Sequence, residues 1–360
     1  MTRLFSPTES VDDEYEWYRG QLHIHTNVHN KADIVQWYKA HGYNFALLTD
    51  LNYATPVEGV KSLYDKPGEY ITVPGIETST YYEGTIHDVM GYGGEPATVQ
   101  SDDDRSVTVP SEPAVETYQR QAEMIAEAGT IPALAHPNLT WAASAEEILD
   151  IDPDLMRHFE MITTEPGMND AGGGGYPSTT ELWDQVLGTG RELYAIASDD
   201  SHHFDRIGPE TRHFEGEMRT TAPSLPGRTS VFVYAAELTV DAVMSALDRG
   251  DFYSVRHGLT MPIEFTHLDV DETGIELGLP TGSKDIGWTT DEDNPTRYRT
   301  QFIGVKGEAS DEPADRAEVL QEDESTALSY TFDGDELYVR ARVDGSDGAT
   351  AWTQPVFFDE

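Results

Sequence analysis

Through most of the chain, short apolar runs alternate with longer amphipathic stretches. Gln21–His25 predicts a first strand, and Ala32–Gly42 a helix closed by its glycine. Phe45–Leu48 is continuously apolar and ends in Thr49-Asp50, the pattern of a strand buried on both faces. The unit recurs. Ile71–Ile76 leads to Glu77, Thr85–Tyr92 carries His87, and a helix over Ala114–Gly129 precedes a strand over Ile131–Ala135 that runs into His136-Pro137. Met161–Thr163 predicts a short strand, Glu181–Leu187 a helix that Ser178, Thr179 or Thr180 can cap, and Leu193–Ala197 a strand ending in Ser198-Asp199-Asp200-Ser201-His202-His203. Thr229–Tyr234, a helix over Val240–Arg249 capped by Thr239, and Phe252–Ser254 complete the series.

Beyond Pro262 the helical period disappears. Alternating stretches at Ile263–Val270, Gly274–Leu279, Arg297–Val305, Ala327–Phe332, Glu336–Val343 and Gln354–Phe358 are separated by Gly, Asp and Pro turns, which predicts an antiparallel sandwich. The fold class is therefore α/β, a barrel-like domain over residues 1–260 followed by a small all-β domain over 261–360. Asp285–Pro295 and the acidic stretch Gly307–Asp323 read as mobile loops. Gly172–Gly175 reads as a surface loop, with a lid hinge as the alternative.

Ligand-type residues fall repeatedly at the C-terminal ends of the apolar runs, or on one face within them, where a parallel α/β barrel gathers its active site. His23 and His25 stand two apart with Leu22 and Ile24 on the alternate positions, so in extended chain both imidazoles project from one face. Asp50, Glu77, His87, His136, Asp199, Asp200 and His202 continue the theme. Three or four histidines with a carboxylate make a zinc, manganese or iron site, and a further bridging carboxylate makes a two-metal one.

Composition narrows the setting. The 360 residues carry a formal net charge of −43 with acids spread along the chain and no cysteine. Such a surface repels nucleic acid and anionic membranes and suits solvation in high salt, so a halophile's cytoplasmic protein is expected. Without thiolates, any metal is held by His, Asp and Glu. The first residues, through Tyr18, lack the apolar core of a signal peptide, and no run is long enough to span a bilayer.

His23-x-His25, Thr49-Asp50, Gly75-x-Glu77, His87, Ala135-His136-Pro137 and Asp200-x-His202 resemble the ordered motifs of the PHP (polymerase and histidinol phosphatase) superfamily. Trp183-Asp184, Gly190-Arg191, the Ser198–His203 stretch, Ala246-Leu247 with Gly250 and Phe252-Tyr253, and Ala351-Trp352-Thr353-Gln354-Pro355 resemble its CehA/McbA-type branch. The resemblance implies a seven-stranded distorted barrel, a cluster of two or three metals, and in most members hydrolysis of phosphate esters. It implies that His23, His25, Glu77 and Asp200 hold one metal, and that Glu77 bridges to a second bound by His87 and His136. Where the family places a histidine after the motif-II aspartate this chain has Leu51. Lys31, with His29 nearby, stands about where a further histidine is usual. Two metals are therefore expected, with His202 free or half-engaged.

A metal-bridging hydroxide is the expected nucleophile, and His202, His203 or a metal-bound water the proton source for the leaving group. Asp199 is assigned to orienting a metal-bound histidine, and Arg206 and Arg212 to clamping an anion. His41, His158, His257 and His267 match no motif. The substrate is then a small, anionic molecule. Hydrolysis of an amide, ester or carbamate on the same metals is the alternative, and a decayed binding module the third reading.

Overall fold

The computed structural model describes residues 15–26, 30–94, 109–165, 167–202, 204, 225–258, 262–281 and 296–358. His29, His203, Arg206, Arg212 and the expected loop Asp285–Pro295 lie outside them.

Seven strands make the barrel: β1 (Glu16–Gln21), β2 (Phe45–Leu48), β3 (Ile71–Tyr82), β4 (Thr85–Tyr92), β5 (Ile131–Leu134), β6 (His158–Thr163) and β7 (Tyr194–Ser198). β1, β2 and β3 run parallel, β4 is antiparallel to both β3 and β5, and β5, β6 and β7 run parallel again. The circle closes where Ile24 bridges Ser201 and the His25 N–H donates to the Ser201 carbonyl at 3.0 Å. Among the described residues, six α-helices accompany the sheet: α1 (Lys31–Ala40), α2 (Glu58–Tyr64), α3 (Ala114–Glu127), α4 (Ala145–Asp150), α5 (Thr179–Leu187) and, later in the chain, α6 (Val240–Arg249). Ser178 caps α5 in a reciprocal capping box with Glu181, and Thr239 caps α6, whose C-cap Gly250 takes φ 73°. A Cβ at Gly20 would stand 2.0 Å from the Phe45 ring, so only glycine lets β1 lie this close.

Two departures from the expected spans bear on the candidate site. The first strand ends at Gln21 rather than beginning there. Its side-chain Oε1 accepts the N–H groups of Leu22 (2.9 Å) and His23 (3.3 Å), which takes them out of the sheet ladder and leaves Ile24 as a single bridge. β3 runs on through Glu77 into a hairpin with β4. Its turn, Glu83-Gly84, takes φ 47° and 106°, the positive pair that suits a tight hairpin.

On the other side of β1 the sheet continues antiparallel through β8 (Thr229–Ala235) and β9 (Phe252–Arg256). The later strands are β10 (His267–Val270), β11 (Gly274–Gly278), β12 (Tyr298–Lys306), β13 (Glu318–Asp323), β14 (Ala327–Thr331), β15 (Glu336–Gly345), β16 (Thr350–Thr353) and β17 (Val356–Phe357). β16 pairs with β9, so β13, β12, β15 and β16 extend the barrel's own sheet, while β10, β11 and β14 form a second, three-stranded one. Phe265, Leu277, Phe302, Tyr330 and Val339 fill one apolar core drawn from both sheets, the sandwich-like part. The acidic stretch expected as a mobile loop contains β13, paired with β12 at the sheet edge. Its glutamates and aspartates hide the alternation because an edge strand has little to bury.

The Trp183-Asp184 and Trp352–Pro355 motifs meet at this seam. Asp184 accepts from Arg340 Nε (2.9 Å) and Nη2 (2.6 Å) and from the Tyr338 hydroxyl (2.8 Å). The Gln354 amide bonds both the N–H and the carbonyl of Ala195 at 2.9 Å.

Candidate metal centre

Histidines 23 and 25 leave β1 as extended chain flanking the buried Ile24, and their rings turn into the mouth of the barrel, both buried. Their Nε2 atoms lie 3.0 Å apart. Glu77, in the middle of β3, faces them: Oε2 is 3.3 Å from His23 Nε2 and 3.2 Å from His25 Nε2, while Oε1 is 3.2 Å from His136 Nε2. The Glu77 backbone is held by the chain beyond β2, donating its N–H to the Asp50 carbonyl (3.2 Å) and accepting from Asn52 N–H (2.6 Å). Leu51 bridges Glu77 there and is 38% exposed, so it supplies no ligand at the position where the family resemblance implies a histidine. Asp200 closes the ring from the end of β7, with Oδ1 at 2.9 Å from His25 Nε2 and 3.2 Å from His23 Nε2. Its backbone takes φ 48°, in the left-handed region that aspartate tolerates better than most residues.

At this centre three groups of ligand atoms are each close enough to share one ion: His23, His25 and Asp200; His23, Glu77 and His136; and Glu165, Asp200 and His202. The His202 ring stacks on His25 with centroids 4.0 Å apart, and its Nδ1 lies 3.4 Å from Glu165 Oε2 and 3.5 Å from Asp200 Oδ1.

The structure does not bring His87 to the cluster. Glu77 sits opposite Met90 in the antiparallel β3–β4 ladder, so the even-numbered residues of β4 share its face and His87 points the other way. There His87 Nε2 meets Thr85 Oγ1 at 2.8 Å and the ring lies against Tyr118 of α3. Its neighbour Asp88 points inward instead, Oδ2 3.6 Å from His136 Nε2.

Asp199 is corrected as well. Among the described residues, its fully buried carboxylate bonds to none of His23, His25 and His136. It accepts from the N–H groups of Gly227 (2.6 Å), Arg228 (3.0 Å) and Thr229 (2.8 Å), from Thr229 Oγ1 (2.8 Å) and from the Tyr38 hydroxyl (3.2 Å), and so ties β7 to the start of β8. The orienting part falls to Glu160, whose Oε1 is 2.9 Å from His23 Nδ1 and whose Oε2 accepts the His136 N–H at 3.3 Å. Asp50 is likewise outside the cluster: it accepts from the Thr26 N–H and hydroxyl, each at 2.5 Å, and from Thr55, fixing the chain just past His25. Lys31 bonds the Pro56 carbonyl at 3.1 Å.

At the rim, the loops after β5 and β6 are locked together. Asn138 Nδ2 donates to the carbonyls of Asn169 (3.1 Å) and Pro177 (3.0 Å), Asn169 Nδ2 returns a bond to the Asn138 carbonyl (3.1 Å), and Tyr176 stacks on Trp141 at 4.4 Å. The four glycines 172–175 all take positive φ and lead directly into this pinned end.

Glu77, Asp88, Asp200 and Glu160 are all buried, and among the described residues their ion pairs are with histidines. Burial alone would lower His25, but Asp200 and Glu77 outweigh it and raise it to about 9; burial likewise loses to Glu77 and Asp88 at His136, raised to about 10. His23 is also held well up, against burial, by Asp200, Glu160 and Glu77. Asp88 goes to about 7, through burial first and Glu77 second. His25 Nδ1 and Asp88 Oδ1 are buried without a hydrogen-bond partner among the described residues. A nest of carboxylates neutralised only by protons on imidazoles, with ring nitrogens converging at 3.0 Å, fits divalent cations that would replace those protons.

This gives a signed pH prediction. In the metal-free protein His25 and His136 titrate near 9 and 10 against about 6.5 when unfolded. Their protonation therefore stabilises the fold fully below about pH 6.5, and that contribution is lost as pH rises through about 9–10. Thermal melts of the metal-free form are expected to fall across this window, and those of the loaded form to fall far less. Loading at pH 7 is expected to release about three protons, from His23, His25 and His136, read by calorimetry in buffers of different ionisation heat.

Among the described residues, no helix is long and apolar enough to cross a membrane. No protein-family model matches the chain, and no curated protein matches it. Solved structures do. A two-domain protein from Bacteroides vulgatus, containing a predicted PHP-like metal-dependent phosphoesterase, is 12% identical at a TM-score of 0.46, over 93% of this chain and 92% of its own. A candidate metal-dependent phosphoesterase from Bifidobacterium adolescentis is 10% identical at 0.38, over 50% of this chain and 86% of its own. An amidohydrolase from Chromobacterium violaceum, with sulfate bound and no metal, is 14% identical at 0.36, over 57% of this chain and 93% of its own. At these identities and TM-scores the likenesses carry nothing about activity.

Proposed function

We propose that the centre holds two divalent cations sharing Glu77, and that the protein is a metal-dependent hydrolase of small anionic phosphate esters. The carrying observation is the split of one carboxylate between two sets of nitrogens. Glu77 Oε2 faces His23 and His25 with Asp200 behind them, and Oε1 faces His136 with Asp88 behind it. Cations bound there would acidify water and neutralise the charge that develops on phosphorus-bound oxygen.

The chain's own residues then have defined work. Glu160 holds His23 in the tautomer that presents Nε2 to the centre. Proton delivery to the leaving group falls to Glu165 and His202, which stand beside Asp200 with His202 Nδ1 3.4 Å from Glu165 Oε2. In the metal-free protein burial first and the Asp200 charge second raise the Glu165 carboxyl to about 9, and burial first and His25 second lower His202.

Release of p-nitrophenol from a phosphate monoester, a phosphate diester and a carboxylate ester, after loading with Mn²⁺ or Zn²⁺, tests the reading. Turnover of a phosphate ester is expected. Turnover of the carboxylate ester alone would transfer the chemistry to carbonyl carbon, and a loaded protein inert on all three would sink the enzyme reading.

A further inference from the structure

The wall of the barrel mouth beside Glu77 is apolar, and the register of three strands turns it towards the metal centre. Phe45 and Leu47 of β2, Ile71 and Val73 of β3, and Met90 and Tyr92 of β4 share one core inside the barrel, whereas Ala46 and Leu48 cluster outside it with Ile34 and Tyr38 of α1. Followed towards the ends of β2 and β3, the inward series reaches Leu51 and Glu77, which pair with the register of β2 on β3 unbroken. Paired residues of a parallel ladder share a face, so Leu51 stands beside the Glu77 carboxylate. Past Glu77 the β3–β4 hairpin rises over the mouth. Ser79 and Tyr81 continue the inward face of β3, with Asp88 and Ile86 opposite them on β4, while Thr80 faces outward and donates to the Val109 carbonyl at 3.4 Å.

This wall is fixed in place, and its polar groups are engaged. Asn52, at φ 49°, staples the Leu51 segment to the hairpin: its Nδ2 donates to the Ser79 carbonyl and its Oδ1 accepts the Ser79 N–H, both at 2.8 Å. The Ser79 hydroxyl bonds Asp88, the Ile86 N–H donates to Thr140 Oγ1 at 2.9 Å, and the Tyr81 carbonyl accepts from Ser111 Oγ at 2.6 Å. What the wall presents is apolar side chain: Leu51, 38% exposed, then half-buried Ile86, then Tyr81, 63% exposed. At about 3.3 Å per residue, Tyr81 stands roughly 13 Å beyond Glu77, so this surface runs from the metal ligands to the rim. Apart from the Tyr81 hydroxyl at its outer end, a hydroxyl-rich group lying here would lose water and gain no partner on this wall, whereas hydrocarbon would cover it without that cost.

We infer that the substrate is the phosphate ester of an apolar alcohol, its hydrocarbon lying along Leu51, Ile86 and Tyr81 while the phosphate meets the cations. This rests on the phosphate-ester reading above, and the experiment separates the two. Methyl-, butyl- and octylphosphonate and 2,3-dihydroxypropylphosphonate are titrated calorimetrically into the metal-loaded protein; their P–C bonds resist hydrolysis, so binding is read without turnover. Affinity is expected to rise about twofold per methylene, about 100-fold from methyl to octyl, because an open wall covers the chain on one side only. The dihydroxypropyl compound is expected to bind no better than methylphosphonate. Leu51→Ser is expected to weaken both butyl- and octylphosphonate, the latter about tenfold, with metal content unchanged. Tyr81→Ser, at an exposed position that leaves folding undisturbed, is expected to weaken octylphosphonate and spare butylphosphonate. Methylphosphonate binding with no gain along the series, or a gain that survives both substitutions, would overturn the inference and leave the metal-centre reading standing; a loaded protein that binds none of the four would overturn both.

Discussion

Glu77→Gln is expected to strip metal from both halves of the centre and to lower phosphate-ester turnover by about 10³-fold or more, the range seen when transition-state charge loses its stabilisation. The reason is geometric. A ligand belonging to one ion would cost that ion alone, but Glu77 Oε1 and Oε2 face different histidines. The glutamine keeps the size and the backbone pairing to Asp50 and Asn52 while offering one poorly basic oxygen and an NH₂ that repels a cation. Elemental analysis and turnover are read together. A variant that retains one tightly bound metal would mean Glu77 serves a single ion, and one that retains both would remove it from the centre.

The second large effect is on stability. Asp199→Ala is expected to destabilise the fold by about 3–5 kcal/mol, because it leaves three backbone N–H groups and the Thr229 and Tyr38 hydroxyls without their common acceptor in a fully buried place. Chemical denaturation measures it. Glu160→Gln is the informative partner: expected to fold with little loss, it should loosen His23 and lower metal affinity by about 10–100-fold. Were Asp199 the orienting residue, the two outcomes would be exchanged.

These two carboxylates show where sequence reading reaches its limit. Thr85–Tyr92 is found with the expected ends although His87 and Asp88 interrupt its apolar positions, and Phe45–Leu48 was legible because burial on both faces leaves a continuous apolar run. So was α6, whose cap, apolar stripe and terminal Gly250 agree. Most of the residues that meet at the centre were legible too, because His23 and His25 share a face whatever the strand's exact end. What decides between adjacent residues is register, which no local pattern carries. His87 and Asp88 offered a nitrogen and a carboxylate side by side, and only the pairing of Glu77 with Met90 puts Asp88 inside. Asp199 and Asp200 posed the same choice. Asp200 was separable through its i, i+2 relation to His202, but the destination of Asp199 depends on where β8 begins. Glu160 did leave a signal, a lone acid within the apolar run Phe159–Ile162. A buried carboxylate needs a partner, and that rule alone points to it.

The metal content of the protein purified in high salt, followed by anomalous scattering from crystals soaked with Mn²⁺, tests the central claim most directly. The account predicts two ions per chain, one among His23, His25 and Asp200 and one between His136 and Asp88, with Glu77 touching both. A protein that takes up no divalent cation, or a single ion that Glu77 does not contact, would contradict it.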